Sequence, residues 1–154
     1  MADYYADSSA LVKRHVFESG SGWFQSLADP GTSHTIITAR LSMAEVYSAL
    51  NRRRREGTLP AADYARIVTD FAALCMMQYT LVELTAPIVE RARRLVEQHP
   101  LRAYDAVHLA SALAVNESLL TAGLLAITFV SADQRLLQAA QMEGLATDNP
   151  NAHP

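Results

Sequence analysis

Short apolar runs alternate with longer stretches of helical periodicity along this chain. Four runs rich in β-branched and aromatic residues predict strands, at residues 4–6, 35–38, 79–84 and 127–130. Between them, apolar residues recur at the three- and four-residue spacing of a helix face. The main helices are therefore expected at about 39–54, 61–77, 85–98, 101–116 and from 136 onward, with a short edge strand at 145–147.

The order of these elements predicts the fold class. Strands separated by pairs of helices, in the order β-α-α-β-α-α-β-α-α-β-α, are typical of a parallel sheet between two helix layers. We expect an α/β three-layer sandwich with four to five short strands. A single domain should span residues 1–148, and residues 149–154 should form a frayed tail.

Composition narrows the classes of function. Half of the residues are apolar, which excludes a disordered chain, and the net charge of -3 argues against a protein that coats nucleic acid non-specifically. The single cysteine, Cys75, cannot form an internal disulfide, and the first residues lack the basic and apolar regions of a signal peptide. These features point to the cytoplasm. Lysine is nearly absent, because Lys13 stands against twelve arginines.

Three acidic residues follow the predicted strands. Asp7 ends the first strand, Glu45 lies about one helical turn beyond the second, and Asp133 follows the fourth. The carboxyl ends of parallel strands lie along one edge of a sheet, where α/β proteins bind ligands, so these side chains are expected to converge. A fourth acid, Asp105, opens an apolar helix and is expected to reach the same crevice.

Each acid also has a purely structural interpretation. Asp7 can cap the first helix, and acids in the first turn of a helix, as at Asp105 and Asp133, offset the helix dipole. For the last helix, Ser131 is the possible cap. Any one of these interpretations is plausible alone, but four acids at one edge of a sheet are harder to explain in this way.

Glu45 has the most specific structural alternative, a capping box with Ser42, although Thr38 is the better capping candidate for that helix. If all four carboxylates converge, they repel one another unless cations lie between them. Ligand sets made only of oxygen atoms suit Mg²⁺ or Mn²⁺. The pattern therefore favours a site for hard divalent cations.

The histidines disfavour zinc as the metal. They stand at positions 15, 34, 99, 108 and 153, and no two of them have the spacing of a zinc-binding pair. His108 follows Asp105 by three residues and shares its helical face. We expect this histidine to support the site from its border and not to bind metal.

Four arginines, Arg52 to Arg55, end the helix that Glu45 begins. Cations at a helix C-terminus offset the dipole, so a solvated helix end is the simpler interpretation of this run. Contact with phosphate groups is the alternative.

Four segments carry a resemblance to a known family: residues 5–11 around Asp7, 42–46 around Glu45, 104–110 around Asp105 and 130–137 around Asp133. In their order and approximate spacing they resemble the PIN-domain ribonucleases, and within them the VapC-type toxins of bacterial toxin-antitoxin pairs. No single segment is specific, but the ordered set is, and it covers nearly the whole chain.

The resemblance implies that the four acids bind one or two Mg²⁺ or Mn²⁺ ions, with Ser8 and Ser131 as supporting polar groups. It implies an endoribonuclease that hydrolyses RNA phosphodiester bonds as the toxin of a toxin-antitoxin pair, with a cognate antitoxin and a second copy of the chain as partners. Arg102 departs from the expected pattern, and it either contacts RNA, with Arg52 and Arg53, or is solvated.

Other functions remain open from the sequence. A non-catalytic α/β module that binds Mg²⁺, such as a phospho-accepting signalling receiver, also gathers acids at strand ends. Such a receiver needs paired acids after the first strand and a lysine near the last one, whereas Asp7 stands alone and Lys13 comes too early. A PIN-like scaffold without chemistry is disfavoured because all four acids are present. The aromatic residues of the helix with Tyr64 and Phe71, or of the one with Trp23 and Phe24, supply either an interface or core packing.

Overall fold

The computed structural model describes residues 1–154 and contains one parallel sheet. Its strands are β1 (Asp3–Ala6), β2 (Thr35–Ala39), β3 (Thr80–Val82), β4 (Thr128–Val130) and β5 (Ala146–Asp148). They lie in the order β3-β2-β1-β4-β5. Every neighbouring pair is parallel, with Tyr4 opposite Ile36 and Tyr5 opposite Phe129.

Seven helices connect and cover these strands. They are α1 (Ser8–Val12), α2 (Ser21–Leu27), α3 (Ser42–Arg55), α4 (Ala61–Met77), α5 (Ala86–Gln98), α6 (Ala103–Thr121) and α7 (Gln134–Met142). Two short 3-10 turns lie at Pro30–Thr32 and Pro150–Ala152. The predicted α/β sandwich with a parallel sheet is therefore confirmed. None of the helices combines the length and apolar composition needed to cross a lipid bilayer.

The sheet separates two hydrophobic cores because successive strand residues point to opposite faces. Tyr5 and Ile37 pack with helices α5, α6 and α7 on one face. Ala6 and Ile36 pack with helices α1 to α4 on the other. Each core fixes the strand register, since a slip of one residue would exchange the two faces.

The start of α3 differs from the prediction. The helix begins at Ser42 after Leu41, which makes no side-chain capping bond, so neither the Thr38 cap nor the capping box of Ser42 with Glu45 is present. Thr38 Oγ1 instead donates to the carbonyl of Ala6 at 2.6 Å and lies 2.6 Å from Ser42 Oγ. Both hydroxyls are buried between β1, β2 and α3, and Glu45 is left free for contacts outside its own helix.

The aromatic residues considered for an interface belong mainly to the core. Phe24, Ile67 and Phe71 are buried among the residues of the second core. Tyr64 is partly buried, and its hydroxyl accepts a hydrogen bond from Asn51 at 2.8 Å. Core packing, the alternative that the sequence left open, is thus confirmed for Phe24, Ile67 and Phe71. Trp23 and Tyr64 are only partly buried, and their part in an interface stays a prediction.

The C-terminal residues differ from the frayed tail that the sequence predicts. Pro150 is buried, and the imidazole of His153 stacks on the indole of Trp23 with 4.4 Å between ring centroids. His153 Nε2 also lies 2.8 Å from Asp148 Oδ1. The tail thus packs against α2, where an aromatic side chain gives it a partner that its own sequence does not reveal.

Candidate active site

The strand order brings three of the predicted acids to neighbouring positions at one edge of the sheet. Asp7 follows β1, the central strand, while Glu45 lies in the first turn of α3 after β2 and Asp133 lies between β4 and α7. Strands β2 and β3 lie on one side of the central strand β1, and strands β4 and β5 lie on the other, so the direction of strand addition changes at β1. Such a switch point opens the crevice in which α/β sheets bind ligands.

Asp7 is both the cap of α1 and a buried acid of the site. Its Oδ1 accepts from the backbone N–H of Ala10 at 3.0 Å and from the hydroxyl of Ser9 at 2.6 Å, and its Oδ2 accepts from Ser131 Oγ at 2.6 Å. Only 4% of the residue is exposed. Burial raises the pKa of the Asp7 carboxyl, although the charge of His108 and the hydrogen bonds oppose the rise.

Glu45 is held by residues from two other segments. Ser8 Oγ donates to its Oε2 at 3.2 Å, and His108 Nε2 lies 2.5 Å from its Oε1. On the other side of the imidazole, Nδ1 lies 3.0 Å from the hydroxyl of Tyr5. A buried chain of contacts therefore runs from Tyr5 through His108 to Glu45, as expected for a histidine that supports the site.

Burial and neighbouring charges have opposite effects on the pKa of His108. Burial alone would lower the pKa of its imidazole, but the hydrogen bond and charge of Glu45, with the charges of Asp7 and Asp105, raise it above the ordinary value. The imidazolium form consequently offsets part of the negative charge of the acids.

Asp105 and Asp133 complete the acidic group. Asp105 Oδ2 accepts from the backbone N–H of Arg102 at 3.3 Å in the first turn of α6. Burial raises the pKa of Asp105, and the negative charges of Asp133 and Asp7 raise it further. The charges of Asp133 and Asp7 therefore reach the carboxyl group of Asp105.

Asp133, and not Ser131, is the cap of α7. Its Oδ1 accepts from the backbone N–H groups of Arg135 at 2.9 Å and Leu136 at 3.3 Å. Ser131 Oγ accepts from the N–H of Asp133 at 3.0 Å while donating to Asp7. The expected supporting role of Ser131 is therefore a link between two of the acids.

The four acids lie toward the same edge of the sheet, but they do not form a closed set of metal ligands. No group of three or more His, Cys, Asp or Glu side chains has the arrangement of a metal centre. Hydroxyls, backbone N–H groups and His108 occupy positions around the carboxylates. The donor set itself consists of carboxylate and hydroxyl oxygens, which fits Mg²⁺ or Mn²⁺ in its chemistry.

Two polar residues of the site were not foreseen. Ser9 contacts Asp7, accepts from the N–H of Ala132 at 2.9 Å and so joins α1 to the segment after β4. Tyr5 was predicted only as a strand residue, yet its buried hydroxyl meets His108. The Asp-Ser-Ser sequence at a junction of strand and helix is the one local signal for Ser9, whereas nothing near Tyr5 indicates its partner 103 residues away.

A cleft of about 1080 Å³ opens beside Glu45. It is bordered by Ser8, Ser9 and Glu45, and by Tyr104 and Ala132, which precede Asp105 and Asp133 in the sequence. Four basic residues line it as well: Lys13, Arg52, Arg53 and Arg102. All three arginines predicted to contact RNA therefore line the cleft that contains Glu45.

Comparison with known proteins identifies the family. The family model for the PIN domain matches residues 4–141. The chain belongs to the PIN domain family. Ribonuclease VapC45 of Mycobacterium tuberculosis is 37% identical to this PIN domain over 113 residues, which are 73% of this chain and 76% of that protein. The resemblance carried by the four acidic segments is thereby confirmed.

Solved structures show the same fold. VapC20 of Mycobacterium tuberculosis, described as a toxin that cleaves the sarcin-ricin loop, matches this PIN domain with a TM-score of 0.64 at 16% identity, over 98% of this chain and 99% of its own. A chain of VapBC2 from Rickettsia felis, bound to a DNA fragment from the promoter, matches with a TM-score of 0.62 at 12% identity, over 96% of this chain and 98% of its own. At such identities the likeness concerns the fold.

Proposed function

We propose that this PIN domain is a metal-dependent endoribonuclease that hydrolyses RNA phosphodiester bonds as the toxin of a toxin-antitoxin pair. One observation carries the proposal: Asp7, Glu45 and Asp133 follow neighbouring strands at the switch point of the sheet, and the charges of Asp7 and Asp133 raise the pKa of Asp105. The similarity to a ribonuclease over most of the chain supports RNA as the substrate.

In this proposal Asp7, Glu45, Asp105 and Asp133 hold one or two Mg²⁺ or Mn²⁺ ions. A divalent ion bound there would lower the pKa of a water molecule and stabilise negative charge on the phosphoryl and leaving oxygens. The protein contributes the alignment of its acids, since Ser9 and Ser131 fix both oxygens of Asp7 while Ser8 and His108 fix those of Glu45. Such supporting contacts orient ligands before a metal binds.

The basic side of the cleft would bind the RNA backbone. Arg52 and Arg102 are exposed and Arg53 is partly exposed, and all three line the cleft next to Glu45. Arg54 lies over the ring of Tyr64 at 4.5 Å and is not part of the cleft lining. Their position in the cleft supports Arg52 and Arg53 as the phosphate contacts of the arginine run, and neutralising both should weaken RNA binding and reduce its salt dependence.

Cleavage of RNA by the purified protein tests the catalytic part of the proposal. RNA should be cut with Mg²⁺ or Mn²⁺ and remain intact with a chelator or with the Asp105→Asn variant. Metal binding without cleavage would instead support a non-catalytic module that binds Mg²⁺.

The proposal also includes two partners, an antitoxin protein and a second copy of the chain. It places the protein in the cytoplasm. The shared fold with VapBC2, solved as a complex, supports the antitoxin partner. Co-expression with the product of an adjacent small open reading frame should yield a complex in which RNA cleavage is inhibited. Sedimentation of the protein alone would test the homodimer.

A further inference from the structure

A second group of charged residues, Lys13, Glu18 and Arg53, lies in the same cleft and is here called the Glu18 triad. Lys13 Nζ lies 3.0 Å from Glu18 Oε1, and Arg53 Nη2 lies 2.8 Å from Glu18 Oε2. Lys13 also donates to the carbonyl of Ser19 at 2.8 Å. One carboxylate thus binds two cations, one from the end of α1 and one from α3.

The Glu18 triad contains more positive charge and more donors than its single carboxylate satisfies. The side chain of Lys13, the one lysine of the chain, is only 5% exposed, and burial of an ammonium group is costly unless it is paired. Arg53 Nε is buried and has no hydrogen-bond partner. An unsatisfied buried donor is unfavourable, so the triad lacks an acceptor.

The positions of these cations follow the helices that begin at the acidic site. Lys13 comes six residues after Asp7 along α1, and Arg53 comes eight residues after Glu45 along α3. At a rise of 1.5 Å per residue, the cations lie roughly 9 and 12 Å beyond the acids. Because both helices line the cleft, the two cations lie about 10 Å along the helices from the end at which Glu45 lies.

We propose that Lys13 and Arg53 form a phosphate subsite for RNA, and that Glu18 occupies this subsite as an internal carboxylate until RNA displaces it. The inference rests on the proposed ribonuclease function and adds a binding site to it. A phosphodiester carries one negative charge shared by two oxygens, as a carboxylate does, so the exchange preserves both ion pairs. A phosphate also has additional lone pairs, and one of them can accept a hydrogen bond from Arg53 Nε, which has no partner.

Glu18 is suited to such an exchange. It lies in the segment between α1 and α2, its side chain is 29% exposed, and it can turn toward solvent when phosphate enters. The competing interpretation is a permanent strut in which Glu18 fastens this segment to α3. The two interpretations predict opposite effects of Glu18→Gln on RNA binding.

Fluorescence anisotropy with a labelled single-stranded RNA of about ten nucleotides distinguishes them. All proteins carry Asp105→Asn and are measured with a chelator, so that the RNA stays intact. Glu18→Gln should tighten binding roughly threefold or more, because it removes the competing anion. Lys13→Met should weaken binding and reduce the slope of log affinity against log salt by about 0.7, the value for one phosphate contact on a single strand.

Matched controls come from the exposed pair of Asp63 and Arg66 on α4, which does not line the cleft. Asp63→Asn changes the charge as Glu18→Gln does, and Arg66→Gln changes it as Lys13→Met does. Neither control should alter the affinity beyond the small effect of net charge. Thermal melting verifies the fold of each variant, and if Lys13→Met does not fold, Arg53→Gln replaces it with the same expected result.

Weaker or unchanged RNA binding by Glu18→Gln, relative to Asp63→Asn, would overturn the subsite and leave Glu18 as a strut. A gain in affinity for an acidic peptide but not for RNA would also overturn it. Cleavage by the wild-type protein with Mn²⁺ is scored separately. Absence of cleavage with the binding pattern intact would refute the nuclease function, and cleavage without the binding pattern would refute the subsite alone.

Discussion

Asp7 caps helix α1 and also belongs to the candidate site, and a mutation of Asp7 affects both roles. It caps α1 and takes three hydrogen bonds while almost fully buried, so an amide in its place would leave a serine hydroxyl without its acceptor. Asp105 takes one bond, from a backbone N–H, and is partly exposed. Replacement of Asp105 therefore tests the chemistry of the site with the least disturbance of the fold.

Asp105→Asn should lower the rate of RNA cleavage roughly 100-fold or more. Mutation of a residue that only supports a metal ligand typically lowers activity 10- to 100-fold, and loss of a ligand should cost at least as much. Glu45→Gln and Asp7→Asn should have effects at least as large. Initial rates of RNA cleavage measure the loss, and melting curves verify folding. Full activity of Asp105→Asn would contradict the assignment of the acids.

Asp133→Asn should be milder than the other three replacements. Asp133 is exposed, and an amide oxygen in its place can still cap α7 and still coordinate an ion or a water molecule. The same cleavage rates test the ranking, with Asp105→Asn as the reference. A loss equal to that of Asp105→Asn would show that Asp133 needs its full charge.

The helices and strands that depend on local sequence pattern were predicted correctly. The strands and helices follow from apolar periodicity, and α4 was placed at its observed bounds, 61–77. The prediction failed where a side chain finds a distant partner. Thr38 is a good local cap for α3, but its hydroxyl is more favourably placed on Ala6 of the neighbouring strand.

The candidate site shows the same division. Three of its acids, Asp7, Glu45 and Asp133, were predictable because parallel strands place their carboxyl ends at one edge. The bonds that orient the acids join residues far apart in the chain, 37 residues for Ser8 with Glu45 and 63 for His108 with Glu45. These pairs depend on the packing of α1 and α6 around α3 and have no local signature.

The contact between the end of α1 and helix α4 predicts a dependence of stability on pH. His15 stacks edge-on against Phe71 with 5.7 Å between ring centroids, and its Nε2 is buried without a hydrogen-bond partner. Burial, with the charge of Arg14, lowers the pKa of His15 from 6.5 to about 4. Between these values the unfolded chain binds a proton that the folded chain does not.

The contribution of His15 to stability is therefore complete above pH 6.5 and is lost as the pH falls toward 4. Between pH 8 and pH 5 the expected loss is on the order of 2 kcal/mol. His15→Leu should remove this part of the pH dependence while leaving stability at pH 8 nearly unchanged. Urea unfolding of both proteins at pH 8 and pH 5 measures it. A parallel decline of the two proteins would exclude His15 as the cause.

The C-terminal turn, Pro150–Ala152, packs against the beginning of α2. Gly20 has φ +80, and a Cβ at this position would lie 2.3 Å from the carbonyl oxygen of Pro150. Asn151 lines the cleft, so this contact also shapes one wall of the candidate site. The close approach explains why glycine is needed at position 20.

Gly20→Ala should destabilise the chain by about 1–3 kcal/mol, because the backbone is strained and Pro150 must move. Gly22→Ala is the matched control, since Gly22 lies inside α2 and a Cβ there meets no atom within 4 Å. The control should be neutral or stabilising by about 1 kcal/mol. Denaturant unfolding of the two variants gives the comparison, and equal stabilities would mean that the tail adds nothing to folding.

The acid cluster should also oppose folding of the metal-free chain. Burial raises the pKa of Asp7 and Asp105 above the ordinary value of 3.8, and neighbouring negative charges add to the rise at Asp105. The folded state therefore binds more protons than the unfolded state within this window. The penalty is absent below both pKa values and grows as the pH rises through them.

Asp105→Asn should accordingly raise the melting temperature of the metal-free protein at neutral pH, by about 2–4 °C for each kcal/mol of repulsion removed. Mn²⁺ should stabilise the folded chain by binding to it alone, and the variant should show a smaller shift on its addition. Melting curves of both proteins with chelator and with Mn²⁺, at neutral pH and near pH 3, give the four comparisons needed. Near pH 3 the advantage of the metal-free variant should vanish, because Asp105 is then protonated in both states. A variant that is less stable than the wild type without metal, and equally stabilised by Mn²⁺, would show that Asp105 serves only the first turn of α6.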